Sequence, residues 1–165
     1  MIAKNNLKGT ILRIGNVVGS LNNELAKGFE LFANSSIKNA VLKQEISIKN
    51  NPNLRRNFVP IDLLMEVLKK MLCDYSKSYK LIPKILNITT GESQTLLDYS
   101  ILVSEEYKNI FKQSIQIKYE DKLLSPIPYS VIKNKKLKNY LGSFEKYTLE
   151  KTIKKTLEKF KSISI

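Results

Sequence analysis

Histidine and tryptophan are absent from the 165-residue sequence, which contains a single cysteine, Cys73. Without histidine, the chain cannot form Ser-His-Asp or Cys-His catalytic groups, and it lacks a principal ligand of zinc. We therefore expect no metal site, and any proton transfer would need a carboxylate, a lysine or a tyrosine. A lone cysteine cannot form an internal disulfide. Its position at the end of the apolar pattern LLMEVLKKMLC predicts a buried structural thiol.

Long apolar runs are also absent from the sequence. No segment approaches the length needed to span a bilayer. The first ten residues, MIAKNNLKGT, contain no hydrophobic stretch typical of a signal peptide. Together with the single cysteine, these features predict a soluble, cytoplasmic protein without a membrane partner. The length fits one domain that is large enough to bury a core.

Arginine is scarce although positive charge is abundant. The formal net charge is +13, yet the chain has only three arginines, and Arg55 and Arg56 are adjacent. A charge of this size favours nucleic acid as a partner. However, the lysines are spread along the whole chain, and no recognition-helix motif, zinc site or aromatic stacking strand accompanies them. A solvated, lysine-rich surface explains the charge better, and a stand-alone basic module for nucleic acid is the alternative function.

Strand patterns alternate with helical patterns along the chain. A buried strand is predicted at Thr10–Ile14, running into a glycine-flanked loop over residues 16–20. Further strands are predicted in EISIKNNPN, KILNITTGES and SIQIKYED. Helical spacing of apolar residues occurs over residues 22–43, 62–75, 95–111 and 148–161. This alternation predicts an α/β fold.

Two side chains are candidate anion ligands. Asn16 directly follows a predicted strand, and Arg56 precedes the short extended segment Phe58–Val59. Folds of the α/β class present ligand-binding groups at strand ends, and the planar fork of arginine grips phosphate in a bidentate manner. The structural alternatives are a surface ion pair for Arg56 and, for Asn16, a turn residue that bonds its own backbone.

Four segments carry a resemblance to a known family. In order along the chain they are TILRIGNVVGS, RRNFVPIDLL, ILNITTGESQTLL and LKNYLGSFEKYTLEKTIKKTLEKF. They resemble the C-terminal half of the extended short-chain dehydrogenases/reductases, the NAD-dependent nucleotide-sugar epimerases and dehydratases. The resemblance runs from about Leu7 to Phe160. It implies that residues 1–165 form one truncated domain, with the last Rossmann strands and a small substrate-binding α/β portion.

The resemblance also implies roles for three residues. Asn16 and Arg56 match the positions that contact the diphosphate of the nucleotide sugar, and Ile14 matches a position near the nicotinamide of NAD(P). Several positions depart from the family pattern: Asn57 replaces the usual aspartate, and Pro60 replaces a histidine or tyrosine. The loop before the last helices also lacks the family's second phosphate-binding arginine.

The catalytic motifs of the family are missing from their expected places. The chain has no Gly-x-x-Gly-x-x-Gly turn, and no tyrosine precedes Ile14, where the family carries its Tyr-x-x-x-Lys pair. The resemblance therefore implies that the chain supplies no catalytic residue and is inactive alone, either as a fragment of a complete enzyme or as the partner of a separate N-terminal half chain. Binding of NAD(P) by this chain alone is doubtful on the same ground. Without central Rossmann neighbours, its sheet would leave an exposed edge.

Overall fold

The computed structural model of the chain describes residues 9–19, 31–120 and 131–163. Within these residues the strands are β1 (Ile11–Ile14), β2 (Asn16–Val18), β3 (Glu45–Ile48), β4 (Arg55–Arg56), β5 (Phe58–Pro60), β6 (Ile85–Ile88), β7 (Gln94–Thr95) and β8 (Gln116–Tyr119). The helices are α1 (Phe32–Lys43), α2 (Ile61–Lys77), α3 (Leu96–Phe111), α4 (Lys135–Leu141) and α5 (Leu149–Ile163). The first part of the helix predicted over residues 22–43 lies outside the described residues.

Strands that are distant in the sequence form the pairs of the sheets. β1 pairs with β6, β2 with β5 and β3 with β8, all in parallel, while β4 pairs with β7 in antiparallel. Parallel partners require a crossover connection, and the chain provides it because at least one helix lies between the partners of each parallel pair. The predicted α/β fold is confirmed.

The larger hydrophobic core lies among α1, α3 and α5. Ile37, Tyr99 and Ile153, one from each helix, are completely buried there. The Tyr99 ring stacks on Phe58 with centroids 4.2 Å apart, and its hydroxyl donates to the Ala33 carbonyl at 3.1 Å. The core thus reaches from the helices to β5, the strand that follows the arginine pair.

Side chains cap the two long helices of this core. The Thr95 hydroxyl accepts from the Asp98 amide at 2.9 Å, and the Asp98 carboxylate accepts from the Thr95 amide at 3.2 Å. This reciprocal pair is a capping box, as the sequence TLLD predicts. At the start of α5, the Thr148 hydroxyl accepts from the Lys151 amide at 3.3 Å. Both helix starts therefore satisfy amides that would otherwise have no partner.

A smaller core lies between β6 and the helices α2 and α4. Leu63 and Val67 of α2 and Leu137 of α4 are fully buried against Leu86 and Ile88. In this arrangement α2 and α4 cover the β6 side of the β1–β6 pair.

The outer strand of that pair, β1, is open. Ile11 is 48% exposed and Ile14 is 45% exposed. Among the described residues no strand pairs with the far edge of β1. Parallel strands are normally buried on both faces. Among the described residues, β1 therefore forms an edge of its two-stranded sheet.

The predicted burial of Cys73 is wrong. Cys73 is exposed, as is Leu72, and both lie in the last part of α2. The buried face of α2 instead follows Leu63, Val67 and Asp74. At 100° per residue, Cys73 is rotated away from that face. In the part of the chain that the structure describes, no helix combines the length and apolar character required to cross a bilayer.

Candidate functional site

Asn16 lies at the start of β2 and not in a loop, so that part of the sequence prediction is wrong. Its backbone amide donates to the Asn57 carbonyl at 2.8 Å, and its side-chain Nδ2 makes a long contact of 3.5 Å with the same oxygen. The strand forms because Val17 pairs with Val59 of β5. Asn16 is thereby fastened to the segment that carries the arginine pair.

Gly15 permits this close approach. A Cβ atom at position 15 would lie 2.8 Å from the Asn57 carbonyl oxygen and 2.9 Å from Cγ2 of Val59. Both distances are too short for a real side chain. The glycine between β1 and β2 is therefore required for the two chain segments to meet at Asn16.

The two arginines of β4 have different surroundings. Arg55 Nη2 donates to the Ser93 carbonyl at 2.8 Å, and its Nε lies 3.3 Å from the Ser93 hydroxyl. Arg56 is also exposed, and its Nη1 donates to the Arg55 carbonyl at 3.3 Å. A guanidinium has five N–H donors, so this single bond leaves most of the Arg56 fork able to bind an anion. Arg55 fastens its own strand to the loop before β7.

Ile14 occupies the carboxyl end of β1. It pairs with Ile88 of β6, and the amide of Gly15 donates to the Ile88 carbonyl at 3.1 Å. Nearly half of the Ile14 side chain is exposed. An apolar side chain thus borders the end of the strand pair from which the chain continues to Asn16.

Asn57 replaces the aspartate of the family pattern, and its contacts explain why an amide fits there. The residue is 7% exposed, and its Nδ2 donates to the Glu92 carbonyl. A carboxylate has no proton to donate to that carbonyl. Within the described residues, the buried Oδ1 of Asn57 has no hydrogen-bond partner. Asn57 therefore joins β5 to the loop after β6 and leaves one buried acceptor unused.

A cleft of about 620 Å³ lies beside these residues, and no motif of the sequence predicts it. Its volume is in the range of small-molecule sites. The lining residues come from β5, the loop after β6, β7, α4, the loop between α4 and α5, and the start of α5: Phe58, Thr90, Glu92, Gln94, Lys138, Gly142, Ser143, Phe144, Glu145, Tyr147, Thr148, Leu149 and Glu150. No sequence pattern joins segments this far apart, so only the fold could reveal the cleft.

The predicted anion ligands flank this cleft without lining it. Asn16 is in register with Phe58, and Arg56 is in register with Gln94. Both partners line the cleft. Residues directly opposite one another on paired strands have Cα atoms about 5 Å apart. Asn16 and Arg56 therefore each lie opposite a cleft-lining residue on a paired strand, although neither lines the cleft itself.

Metal binding has no support in the part of the chain that is described. No group of three or more cysteine, aspartate or glutamate side chains within residues 9–19, 31–120 and 131–163 is placed to hold a metal ion. The cleft itself contains three glutamates, but they do not form such a group.

Comparisons with known proteins give the fold its context. No protein-family model and no curated protein matches the sequence. Solved structures do match the fold. They include UDP-N-acetylglucosamine 4-epimerase from Methanobrevibacter ruminantium, with 18% identity and a TM-score of 0.68. UDP-glucuronic acid 4-epimerase from Bacillus cereus, in complex with UDP-glucuronic acid and NAD, has 17% identity and a TM-score of 0.67. UDP-glucose 4-epimerase from Thermus thermophilus, in complex with NAD, has 18% identity and a TM-score of 0.65.

The matches cover 97 or 98% of this chain but only 48 or 49% of each solved chain. The chain therefore has the fold of about half of an NAD-dependent nucleotide-sugar epimerase. The fold resemblance drawn from the four sequence segments, to the C-terminal half of an extended short-chain dehydrogenase/reductase, is confirmed. At these identities the likeness concerns the fold alone, and the residue roles are proposals.

Proposed function

We propose that this chain is the substrate-binding portion of an NAD-dependent nucleotide-sugar epimerase or dehydratase, in which Asn16 and Arg56 hold the diphosphate of the substrate. The observation that supports the proposal is that both residues pair with strands that line one cleft. Each of them lies opposite a cleft-lining residue on a paired strand. The fold match to nucleotide-sugar epimerases supplies the class of substrate.

The two side chains suit a diphosphate chemically. The Arg56 guanidinium supplies a positive charge and parallel N–H donors, and a contact of this type contributes about 1.5–3 kcal/mol. The Asn16 amide adds a neutral N–H donor, which at present makes only a 3.5 Å contact with the Asn57 carbonyl. A phosphate oxygen offers a stronger acceptor than that carbonyl, so the amide can turn to it.

NAD would supply the hydride acceptor for the reaction. Ile14 fits a contact with its nicotinamide ring because the side chain is apolar and exposed at the end of β1. The sequence offers no Gly-x-x-Gly-x-x-Gly turn for the pyrophosphate. We therefore propose that the N-terminal half of the enzyme, on the same polypeptide or on a separate chain, holds most of NAD and supplies the tyrosine and lysine, and that residues 1–165 alone are catalytically inactive.

The open edge of β1 supports the proposal that an N-terminal half packs against this chain. Ile11 and Ile14 present apolar surface beside a strand edge that no described strand occupies. An added parallel strand would satisfy the backbone groups of that edge and cover the isoleucines. We place the assembled enzyme in the cytoplasm, where a reducing environment suits the exposed thiol of Cys73.

The test is calorimetric titration of the full chain with UDP. We expect Arg56→Ala to weaken binding roughly 10- to 100-fold, because one charge-assisted phosphate contact is lost. Arg55→Ala is the matched control, since Arg55 contacts Ser93, and its UDP affinity should change little. Absence of UDP binding, or equal losses in the two variants, would contradict the proposal.

Salt separates this function from nucleic-acid binding. A protein that contacts many phosphates of a nucleic acid loses roughly 10³- to 10⁵-fold in affinity between 50 and 200 mM salt. Binding of a single diphosphate involves far fewer released counterions, so we expect a change of less than roughly tenfold for UDP over the same range. A steep salt dependence of binding to mixed-sequence DNA, in the absence of UDP binding, would favour the basic-module alternative.

A further inference from the structure

We infer that the cleft beside Arg56 holds the sugar of the nucleotide sugar and selects rings without a carboxylate, that is, neutral or amino sugars over uronic acids. This inference rests on the proposed function, because it takes the diphosphate at Arg56 as the anchor. It adds the class of sugar, which neither the fold nor the sequence segments define.

The charge of the cleft opposes the charge of the whole chain. Glu92, Glu145 and Glu150 line the cleft, and Lys138 is the only basic residue among the described lining residues. The chain as a whole carries a formal net charge of +13. A ligand carboxylate placed among three glutamates would be repelled, whereas a hydroxyl or an ammonium group would not. The charge of the cleft therefore disfavours a ligand that carries an acidic group in addition to its diphosphate.

A buried hydrogen-bond acceptor in the cleft favours a ligand that carries donor groups. Gln94 lines the cleft on β7, and its buried Oε1 has no hydrogen-bond partner among the described residues. A buried acceptor without a donor costs free energy until a ligand satisfies it. Carboxylates and amide oxygens are acceptors, so they require donors such as hydroxyl or amino groups. The ring hydroxyls of a hexose are such donors, so this acceptor favours a sugar in the cleft, and the charge of the cleft distinguishes neutral sugars from uronic acids.

A diphosphate bound at Arg56 limits which part of the ligand can reach the Oε1 atom of Gln94. Gln94 lies in register with Arg56, so a group directly attached to the bound diphosphate is next to the cleft. That group is either the sugar or the nucleoside. A uracil edge presents one N–H between two carbonyl oxygens, which suits a cleft rich in acceptors poorly. A hexose ring presents several hydroxyl donors, and Tyr147 and Phe144 add apolar surface for its C–H face.

The experiment compares UDP, UDP-glucose and UDP-glucuronic acid by calorimetric titration of the full chain. The two sugars differ only at C6, where a hydroxymethyl group replaces a carboxylate. We expect UDP-glucose to bind roughly tenfold more tightly than UDP-glucuronic acid at low ionic strength. In the variant Glu145→Gln with Glu150→Gln, the ratio of the two sugar-nucleotide affinities, both measured in that variant, should fall to about threefold or less. Both glutamates are exposed, so the variant should fold.

A control variant, Glu158→Gln, removes an exposed glutamate of α5 that does not line the cleft. It should keep the full difference between the sugars. Equal affinities for the two sugars, tighter binding of UDP-glucuronic acid, or a difference that survives in the double variant would each overturn the inference while UDP binding persists. A double variant that loses affinity for UDP itself would place the nucleoside in the cleft, which also overturns it. Failure of UDP to bind would overturn the proposed function and this inference together.

Discussion

Isoleucine side chains are buried in the core among α1, α3 and α5 but exposed on β1 of the β1–β6 strand pair. Ile37 and Ile153 are completely buried in the helical core, whereas nearly half of Ile11 and of Ile14 is exposed on β1. The first region closes around its apolar residues with elements of this chain. The second offers an apolar strand edge. The comparison indicates that the helical region buries its apolar residues within this chain, whereas the strand pair leaves apolar side chains exposed to a further element.

The largest expected effect is on the free energy of unfolding when an isoleucine of each region is truncated to alanine. Ile153→Ala should lower the free energy of unfolding by about 2–5 kcal/mol, because it leaves a cavity in a closed core. Ile11→Ala on the open strand should cost less than about 1 kcal/mol, because its side chain already contacts solvent. Urea denaturation followed by circular dichroism measures both values. Similar losses for the two substitutions would break the comparison.

A smaller effect concerns how helices begin in each region. Thr95→Ala removes the capping box of α3 and should cost about 1 kcal/mol. Helix α2, which covers the β1–β6 pair, begins after Pro60 without a side-chain cap. Ser104→Ala, within α3 and away from its start, is the control and should cost little, since alanine favours helix. The same urea measurement applies, and a negligible effect of Thr95→Ala would show that tertiary packing alone sets the start of α3.

The smallest effect tests how strongly the two regions are joined. Lys155 Nζ of α5 lies 3.1 Å from a carboxylate oxygen of Asp62 in α2, and the two side chains are 71% and 45% exposed. A double-mutant cycle with Asp62→Ala and Lys155→Ala should give a coupling energy below about 1 kcal/mol. The value should fall further in high salt. A coupling above about 2 kcal/mol would mean that the regions depend on one another more than their separate cores indicate.

Local patterns predicted the parts of the fold that depend on neighbours in sequence. The capping box at Thr95 and the apolar stripe of α5, with Ile153 and Leu157, follow from spacings of three or four residues. Local spacing could not predict that Cys73 is exposed. The elements that pack against α2 in the folded chain decide which side of the helix is buried. The pattern LLMEVLKKMLC contains more apolar residues than α2 buries.

The candidate site shows the same limit more strongly. Asn16 was expected in a loop because glycines flank its segment, but β2 exists through its pairing with β5, about forty residues away. The sequence predicted Asn16 and Arg56 as candidate anion ligands, but it could not predict that both pair with strands lining one cleft. The cleft joins β5, the loop after β6 and the start of α5, so no single segment carries its signature.

The exposed thiol of α2 has a practical consequence for all of these measurements. Cys73 is the only cysteine in the sequence and it is accessible, so a maleimide dye should couple once per chain without any substitution. The labelled position lies on a helix that packs beside the β1–β6 pair and contributes no residue to the described cleft lining. Native protein can therefore report, by fluorescence anisotropy at nanomolar concentration, whether another polypeptide joins it.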